Sequence, residues 1–204
     1  MAAIDYKKLW QELYAPPAGE FTLVEVPELR FLMVDGRGNP NTAPEYAAAL
    51  EALYGVAYGA KMACKRELGL DYVVPPLEGL WWADDMAAFL AGDKDRWQWT
   101  MMIMLPDAVP DEIYAAAVDK AARKTPDVRE RLRLESYAEG LSAQIMHLGP
   151  YDDEAPTLAR LHHEYLPANG LAPSGRHHEI YLGDPRRTAP EKLRTVLRQP
   201  VRRV

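Results

Sequence analysis

The sequence predicts an α+β protein built from a duplicated β-α-β-β unit, with antiparallel sheets, pseudo-two-fold symmetry and a ligand cleft between the halves. Two observations lead to this prediction. An apolar strand ending in a glycine-containing turn occurs at residues 29–41 and again at 140–154. Each is followed by a segment of helical periodicity and then by two further extended segments, so the order strand, helix, strand, strand occurs twice.

The first half is predicted over residues 21–107, after a helical lead-in over residues 1–20. Its helix, at 45–68, has apolar side chains at helical spacing and glutamates in the first turns, where they suit the helix dipole. Two strands follow, DYVVPPLEGLWW at 71–82 and RWQWTMMIMLP at 96–106, separated by an excursion at 83–95. The tandem prolines indicate an edge or a bulge where the first of these strands begins.

A linking helix over 108–126 leads to the second half, 127–204, and the whole chain, 1–204, is taken as a single domain. The second helix, PTLARLHHEYLPANG at 156–170, has proline in its first turn and ends at Asn-Gly. GRHHEIYLGDP at 175–185 is the next strand. For the last segment, EKLRTVLRQPV at 191–201, helix and strand interpretations both fit.

Composition excludes several classes of protein. A formal net charge of −6 disfavours sequence-independent nucleic-acid binding, and the basic cluster at 198–203 is typical of a solvated terminus. No apolar run is long enough to span a membrane, and the charged N-terminal segment lacks a signal core, so we expect a cytoplasmic location. The one cysteine, Cys64, lies in a helical pattern and is expected to be a passive thiol.

Each half places a glutamate within an apolar, aromatic strand. Alternation in HHEIYL puts His177, Glu179 and Tyr181 on one face, and in PPLEGLWW it puts Glu78 and Trp82 on one face. An isolated strand glutamate is commonly solvent-exposed. Here both occur at the same step of the repeat beside aromatic or β-branched residues, which favours two walls of a shared pocket, where desolvation would suit a general base.

Tryptophans are concentrated in the first half, at positions 81, 82, 97 and 99. Core packing explains some of them, and a pocket for a flat apolar ligand would use the same side chains as stacking walls. The prolines leave the phase of the strand open, so either Trp81 or Trp82 could face the cleft.

The sequence gives little support for metal or nucleophilic catalysis. His177 and His178 are adjacent in a strand and point to opposite faces, and no HExxH or CxxC spacing is present. No serine lies in a G-x-S-x-G context, and nucleotide-binding glycine motifs are missing. We therefore expect neither a metal nor a cofactor.

Four segments together resemble the stand-alone members of the GyrI-like small-molecule-binding family: YVVPPLEGLWW, WQWTMMI, IMHLGPYDDE and HHEIYLGDPRRTAPEKLRTVLRQPV. The resemblance covers residues 26–201 and also the DYKKLWQELYAP lead-in. It implies a duplicated β-α-β-β fold with a ligand cleft between the halves. Related domains are effector-binding modules of multidrug-sensing activators, in which a buried glutamate and aromatic residues accept flat, often cationic drugs.

The resemblance also implies an activity. Some stand-alone members are hydrolases that open the cyclopropane ring of DNA-alkylating antibiotics of the yatakemycin and duocarmycin kind, and the family's glutamate corresponds to Glu179. We therefore expect Glu179 to be catalytic by activating water in such a detoxification reaction. The ligand-binding candidates are Glu78, Trp81, Trp82, Trp99, Tyr151, His177 and Tyr181.

Two alternatives stay open at this point. A non-catalytic multidrug-binding protein, acting as a sensor or by sequestration, would have the same cleft, although the chain shows no DNA-binding region. A gyrase-modulating interaction protein would instead use its surface, including the acidic runs near positions 84, 93 and 152. The expected partners are flat hydrophobic or aromatic small molecules, with a second copy of the chain as a further candidate; nucleic acid and membrane are not expected to be bound directly.

Overall fold

Helices and strands follow one another in the predicted order, except that the second half has one additional short strand at Leu171–Pro173. The structure, a computed structural model, describes residues 3–84 and 93–204, so most of the excursion predicted at 83–95 lies outside the described residues. None of the helices within the described part is long and apolar enough to cross a membrane.

The elements have the following bounds. The helices are α1 Tyr6–Leu9, α2 Gln11–Tyr14, α3 Pro44–Glu67, α4 Asp111–Ala121, α5 Val128–Arg131, α6 Ala155–Arg160 and α7 Leu166–Ala168, with a π-helical turn, Leu161–Tyr165, joining the last two. The strands are β1 Thr22–Arg37, β2 Leu77–Trp82, β3 Gln98–Met104, β4 Leu132–Leu148, β5 Leu171–Pro173, β6 His177–Tyr181 and β7 Arg194–Arg203. Short 3₁₀ turns lie at Lys94–Arg96, Tyr151–Asp153 and Pro190–Lys192.

The strands form one closed antiparallel sheet. Their order is β4-β1-β3-β2-β6-β7, and β4 pairs with β7 to complete the barrel, while β5 adds to the end of β7. The α+β class is confirmed. The two halves share this one sheet, because β2 and β6, one from each half, pair directly. The pseudo-two-fold relation between the halves stays a prediction.

Helices cover the outer face of the barrel. Along α3 the buried side chains recur every three or four residues and are mostly alanines, so this helix lies close to the sheet. Gly55 and Gly59 meet Ala121 and Ala117 of α4, where small residues let the two helices approach closely. The helix predicted at 45–68 is confirmed, and the linking helix is shorter than the predicted 108–126.

The last segment, for which two interpretations stood open, is strand β7. It closes the barrel because it pairs with β6 on one side and with β4 on the other. Its side chains alternate between the two faces, with Val196 and Arg198 inside and Thr195 and Leu197 outside. The prolines at 75 and 76 lie just before β2, which begins at Leu77, so they take no part in its ladder.

The lead-in closes one end of the barrel. Ile4 bridges to Tyr72, and the side chains of Leu13 and Tyr14 on α2 pack into the apolar interior with Phe31 and Met102. Gln144 of the second half donates to the Glu12 carbonyl, so the lead-in contacts both halves. It also carries Tyr14 into the barrel beside polar side chains described below.

Candidate functional site

A large cavity lies on the outer face of strands β2 and β6, between α3 and the helical segment that follows β4. Its volume is about 1220 Å³, somewhat more than the roughly 300–1000 Å³ of common ligand pockets. Both halves contribute to its lining, which includes Lys7, Tyr46, Leu50, Glu51, Tyr54, Tyr58, Leu77, Trp81, Lys94, Trp97, Tyr151, Asp152, Glu154, Leu158, His163, Glu179, Tyr181, Asp184 and Arg186.

Strand register decides which side chains reach this cavity. Gly79 of β2 lies directly opposite Glu179 of β6, and directly opposite residues of paired strands share a face. Gly79 leaves room that the Trp81 indole fills, since an added Cβ would lie 2.7 Å from Trp81 Nε1. The glycine thus lets Trp81 lean across β2 toward β6.

A hydrogen-bonded chain of three side chains results. Trp81 Nε1 donates to the Tyr181 hydroxyl at 2.9 Å, and Tyr181 donates to Glu179 Oε2 at 2.7 Å. Burial, followed by the charge of Glu179, raises the pKa of Tyr181 well above its usual range, so the hydroxyl keeps its proton and stays a donor. Glu179 is 7% exposed, and these hydrogen bonds fix one of its carboxylate oxygens at the base of the cavity.

The other oxygen of Glu179 has a different neighbour. His177 Nε2 lies 3.4 Å from Glu179 Oε1, and the imidazole is fully buried behind the carboxylate. Alternation along β6 places His177, Glu179 and Tyr181 on one face, as the sequence predicted. Each oxygen of the carboxylate therefore has a neighbour on its own strand, Tyr181 for one and His177 for the other.

A second carboxyl group, Glu154, lines the same cavity. It follows the 3₁₀ turn at Tyr151–Asp153, directly before α6, and is only 5% exposed. Its Oε1 is shielded and has no hydrogen-bond partner within residues 3–84 and 93–204. Burial and then the neighbouring Glu179 raise the pKa of Glu154 well above its usual range, which favours the neutral acid.

Aromatic rings make up much of the cavity wall. Trp81 and Trp97 pack edge to face at a centroid distance of 5.5 Å, and Tyr151 and Tyr181 do the same at 5.5 Å. Tyr46 of α3 lies 6.3 Å from the ring of Trp81. Rings held in this way offer flat apolar surfaces, which suit a planar ligand.

Charged side chains pair at the mouth of the cavity. Lys94 forms an ion pair with Asp152 at 2.8 Å, joining a turn of the first half to one of the second. Arg186 pairs with Asp184 at 3.0 Å. These cations are engaged at the rim, whereas Glu179 and Glu154 form no ion pair with a lysine or arginine in the described parts of the chain.

Comparison with known proteins decides the family. A family model described as the GyrI-like small molecule binding domain matches residues 19–202. This chain belongs to that family. As a GyrI-like protein it contains a domain that binds small molecules, in agreement with the aromatic cavity.

Solved structures agree with this assignment. An uncharacterized conserved protein from Listeria innocua is 42% identical with a TM-score of 0.87, and the match covers 98% of this chain and 100% of that one. A hydrolase from Listeria innocua is 40% identical with a TM-score of 0.82 and the same coverage. The C-terminal domain of EcmrR, 12% identical with a TM-score of 0.58 over 91% of this chain and 98% of that one, shares the fold. No curated protein matches the chain.

The structure brings four of the predicted site residues of this GyrI-like protein together. Glu179, Trp81, Tyr151 and Tyr181 all line the cavity. The question of which neighbouring tryptophan faces the cleft is answered by the register, which puts Trp81 opposite His177 on the outer face.

The other four predicted ligand contacts do not line the cavity. Glu78 and Trp82 lie on the inner face of the barrel, because Glu78 is opposite Ile180 rather than Glu179. The expectation that Glu78 and Glu179 share a pocket is therefore wrong. Trp99 is on the outer face but is fully buried over Gly36, where it packs edge to face on Tyr46.

His177 is the fourth residue that the cavity lining does not include. It shares the face of Glu179, yet it lies fully buried, so the carboxylate stands between the imidazole and the cavity. The imidazole therefore lies against Glu179 and does not reach the cavity.

Glu78 belongs to a buried polar network inside the barrel. His178 Nε2 lies 3.0 Å from Glu78 and its Nδ1 lies 2.9 Å from Glu139, which also accepts from Arg198 at 3.2 Å. Tyr14 of the lead-in donates to Glu78 at 3.3 Å. Two carboxylates thus meet two cationic side chains, and each member has a partner.

The network shifts the pKa values of its members. Burial lowers the pKa of His178, but Glu139 and Glu78 outweigh it and raise the value to about 9. Burial raises the pKa of Glu139, but His178 and Arg198 lower it to about 2. The imidazolium and the carboxylate are therefore the stable forms at neutral pH, as expected of a structural ion pair.

Sequence reasoning missed several residues of the cavity. Glu154 belongs to the acidic run near position 152, which the sequence places at the surface and not in the cleft. A weak signal exists, because glutamate is a poor residue for the position before a helix, where Ser, Thr, Asp and Asn are preferred. The α3 tyrosines at 46, 54 and 58 were not identified, although their spacing of four to eight residues puts them along one side of the helix.

Within the described residues, no group of three or more His, Cys, Asp or Glu side chains is arranged to hold a metal ion.

Proposed function

We propose that this protein hydrolyses flat aromatic small molecules, opening a cyclopropane ring that is conjugated to a dienone, with Glu179 as the base that activates water. The observation that carries the proposal is the chain from Trp81 through Tyr181 to Glu179 at the base of the aromatic cavity. Membership of the GyrI-like family and the 40% identity to a hydrolase support it.

The reaction needs few catalytic parts. Glu179 takes a proton from a water molecule, and the water oxygen attacks a cyclopropane carbon. The strained carbon–carbon bond breaks, and its electron pair moves through the dienone to the carbonyl oxygen, which becomes the oxygen of an aromatic phenol. The gain of aromaticity supplies the driving force, so the protein must mainly orient the substrate and one base.

The aromatic walls position the substrate in this mechanism. Trp81 and Tyr181 are held by the hydrogen bonds that orient Glu179, so a ring stacked on them lies next to the base. Tyr151, packed edge to face on Tyr181, presents a hydroxyl whose pKa is raised to about 12 by burial and by Glu154 and Glu179. That hydroxyl can donate a hydrogen bond to a developing oxyanion while keeping its own proton.

A second candidate function is binding without chemistry. The observation in its favour is that the Glu179 carboxylate faces a wide aromatic cavity without a lysine or arginine partner among the described residues, an arrangement that also attracts aromatic cations. The gyrase-modulating alternative gains no such support, since two of its acidic residues are engaged elsewhere: Asp152 with Lys94, and Glu154 in the cavity.

Turnover separates these candidates. Wild-type protein incubated with a fused aromatic compound that carries a cyclopropane-dienone should yield the ring-opened product, one water heavier by mass spectrometry. Glu179→Gln should lower the rate by about 10²–10⁴-fold while binding of the compound is retained. The matched control is Glu191→Gln, which removes an exposed carboxylate. Unchanged turnover in Glu179→Gln contradicts the role of Glu179, and binding without any wild-type turnover favours the second candidate.

A further inference from the structure

Glu154 has surroundings that an ionised carboxylate does not tolerate well. It is 5% exposed, and its Oε1 is shielded without a donor among the described residues. An ionised oxygen without a donor in a low-dielectric site is strongly unfavourable, whereas a carboxylic acid needs far less solvation. Burial therefore favours the protonated form of this side chain at the cavity wall and outweighs the nearby Thr195 hydroxyl, which favours the carboxylate.

Several ionisable groups face Glu154 from the elements packed around it. The anionic neighbours outweigh the single cation, so the local field also favours a neutral Glu154. The groups are Glu179 and Tyr181 on β6, Lys94 in the 3₁₀ turn before β3, and Asp152 and Tyr151 in the turn that precedes α6.

We propose that Glu154 is the proton donor of this site, giving its proton to the oxygen on which negative charge develops, and that the site consequently takes neutral planar compounds bearing a carbonyl oxygen. The proposal rests on the proposed function and adds a second catalytic residue to it. Before reaction, the neutral carboxyl donates a hydrogen bond to the carbonyl oxygen and fixes the orientation of the ring system.

The proton balance of ring opening requires such a partner. Glu179 gains a proton from water, and the carbonyl oxygen must gain one to become a phenol, so the net reaction adds one water and releases no proton. Glu154 supplies the second proton and becomes a carboxylate. Transfer of the proton from Glu179 to Glu154, directly or through solvent, then restores both groups.

The neighbouring hydroxyl of Tyr151 is a poorer acid for this step. Burial raises the pKa of Tyr151, so its hydroxyl is a weaker acid than an ordinary phenol and does not protonate a phenolate to completion. A carboxylic acid does. Tyr151 therefore holds the oxygen, and Glu154 provides the proton.

A pair of ligands tests the binding part without any turnover. Fluorenone and fluorene have the same planar skeleton, and only fluorenone has a carbonyl oxygen. Equilibrium dialysis with the wild-type protein should show fluorenone bound up to about tenfold more tightly than fluorene, the value of one good hydrogen bond. Glu154→Ala should lose this preference, and Glu154→Gln should retain it because an amide still donates.

Asp153→Asn is the matched control, since Asp153 is the exposed neighbour in the same turn and does not line the cavity. It should leave the preference for fluorenone unchanged. A preference that persists in Glu154→Ala, or that is missing in the wild type, overturns the proposal.

Turnover of the cyclopropane-dienone tests the proton transfer. Glu154→Gln should bind the compound normally but turn it over about 10²-fold more slowly. It should also lack the loss of rate that we expect of the wild type as pH rises through the raised pKa of Glu154. Normal turnover with an unchanged pH profile in Glu154→Gln overturns the donor role while the proposed function stands. If the protein opens no cyclopropane but still prefers fluorenone in a way that depends on Glu154, the proposed ligand class is supported and the proposed hydrolysis is contradicted.

Discussion

The inner and outer faces of strands β2 and β6 both carry buried carboxyl groups, and the two faces surround them with different partners. Inside the barrel, Glu78 and Glu139 meet His178 and Arg198, with every group hydrogen-bonded. Outside, Glu179 lies against a tyrosine and a histidine. Glu154, on the turn above, has an oxygen with no partner among the described residues.

The difference separates a structural role from a chemical one. Buried polar groups in folded proteins nearly always have a hydrogen-bond partner within the protein. A group without one at a cavity wall indicates a function in which a ligand becomes its partner. The inner network neutralises its own charges and ties the lead-in to the barrel through Tyr14. The outer carboxyls instead face a space large enough for a ligand.

Removing a cation from the inner network should give the largest loss of stability. Arg198→Met removes one of the two cations beside Glu139 and also the hydrogen bonds that Arg198 donates to Gln144 and to the Leu13 carbonyl. The free energy of unfolding should therefore fall by about 3–5 kcal/mol. Urea denaturation measures the change. Arg194→Met on the same strand, at an exposed position, is the control and should change the free energy by less than about 0.5 kcal/mol. Equal losses of unfolding free energy in the two variants would contradict a special role of the network in stability.

The inner ion pair should also make stability depend on pH. Because the folded-state pKa of His178 is about 9, its contribution is complete below the unfolded value near 6.5 and is lost as pH rises through about 9. The free energy of unfolding should fall by about 3 kcal/mol over this pH range. The pKa shift of Glu139 is not added to this value, because it arises from the same ion pair. His178→Gln should lack this alkaline decline in urea denaturation. A decline of the same size in His178→Gln would assign it to other groups.

Removing the outer acid should have the smallest effect on stability, and in the opposite direction. Glu154 has a raised pKa in the folded protein, so folding binds a proton and stability falls as pH rises above the unfolded value near 4.3. Glu154→Gln removes this penalty and should stabilise the protein at neutral pH by about 0.5–2 kcal/mol. Thermal melts at pH values below and above the unfolded pKa measure it. Destabilisation at neutral pH would mean that Glu154 has a partner that holds its charge.

Local pattern was sufficient for much of the fold. The helix at α3, the strand HHEIYL and the face shared by His177, Glu179 and Tyr181 follow from periodicity alone, which depends only on neighbouring residues. The family resemblance adds the cleft and the choice of Glu179.

Two features that could not be predicted from the sequence, the face of Glu78 and the burial of Glu154, depend on non-local geometry. The face of Glu78 depends on the register between β2 and β6, which sets Gly79 rather than Glu78 opposite Glu179. Burial of Glu154 depends on how the turn before α6 folds back over β6 and β7. Neither depends on the residues next to it in the chain, so a strand glutamate was assigned to the cavity and a loop glutamate was left out.

Paired substitution of the two strand glutamates tests the central claim most directly. Turnover of the cyclopropane-dienone and the free energy of unfolding are measured for Glu179→Gln and Glu78→Gln. Glu179→Gln should lose about 10²–10⁴-fold in turnover with little change in stability. Glu78→Gln should lose about 1–3 kcal/mol of stability and keep near wild-type turnover when folded. Loss of turnover in folded Glu78→Gln, with full activity in Glu179→Gln, would contradict the division of roles between the two faces.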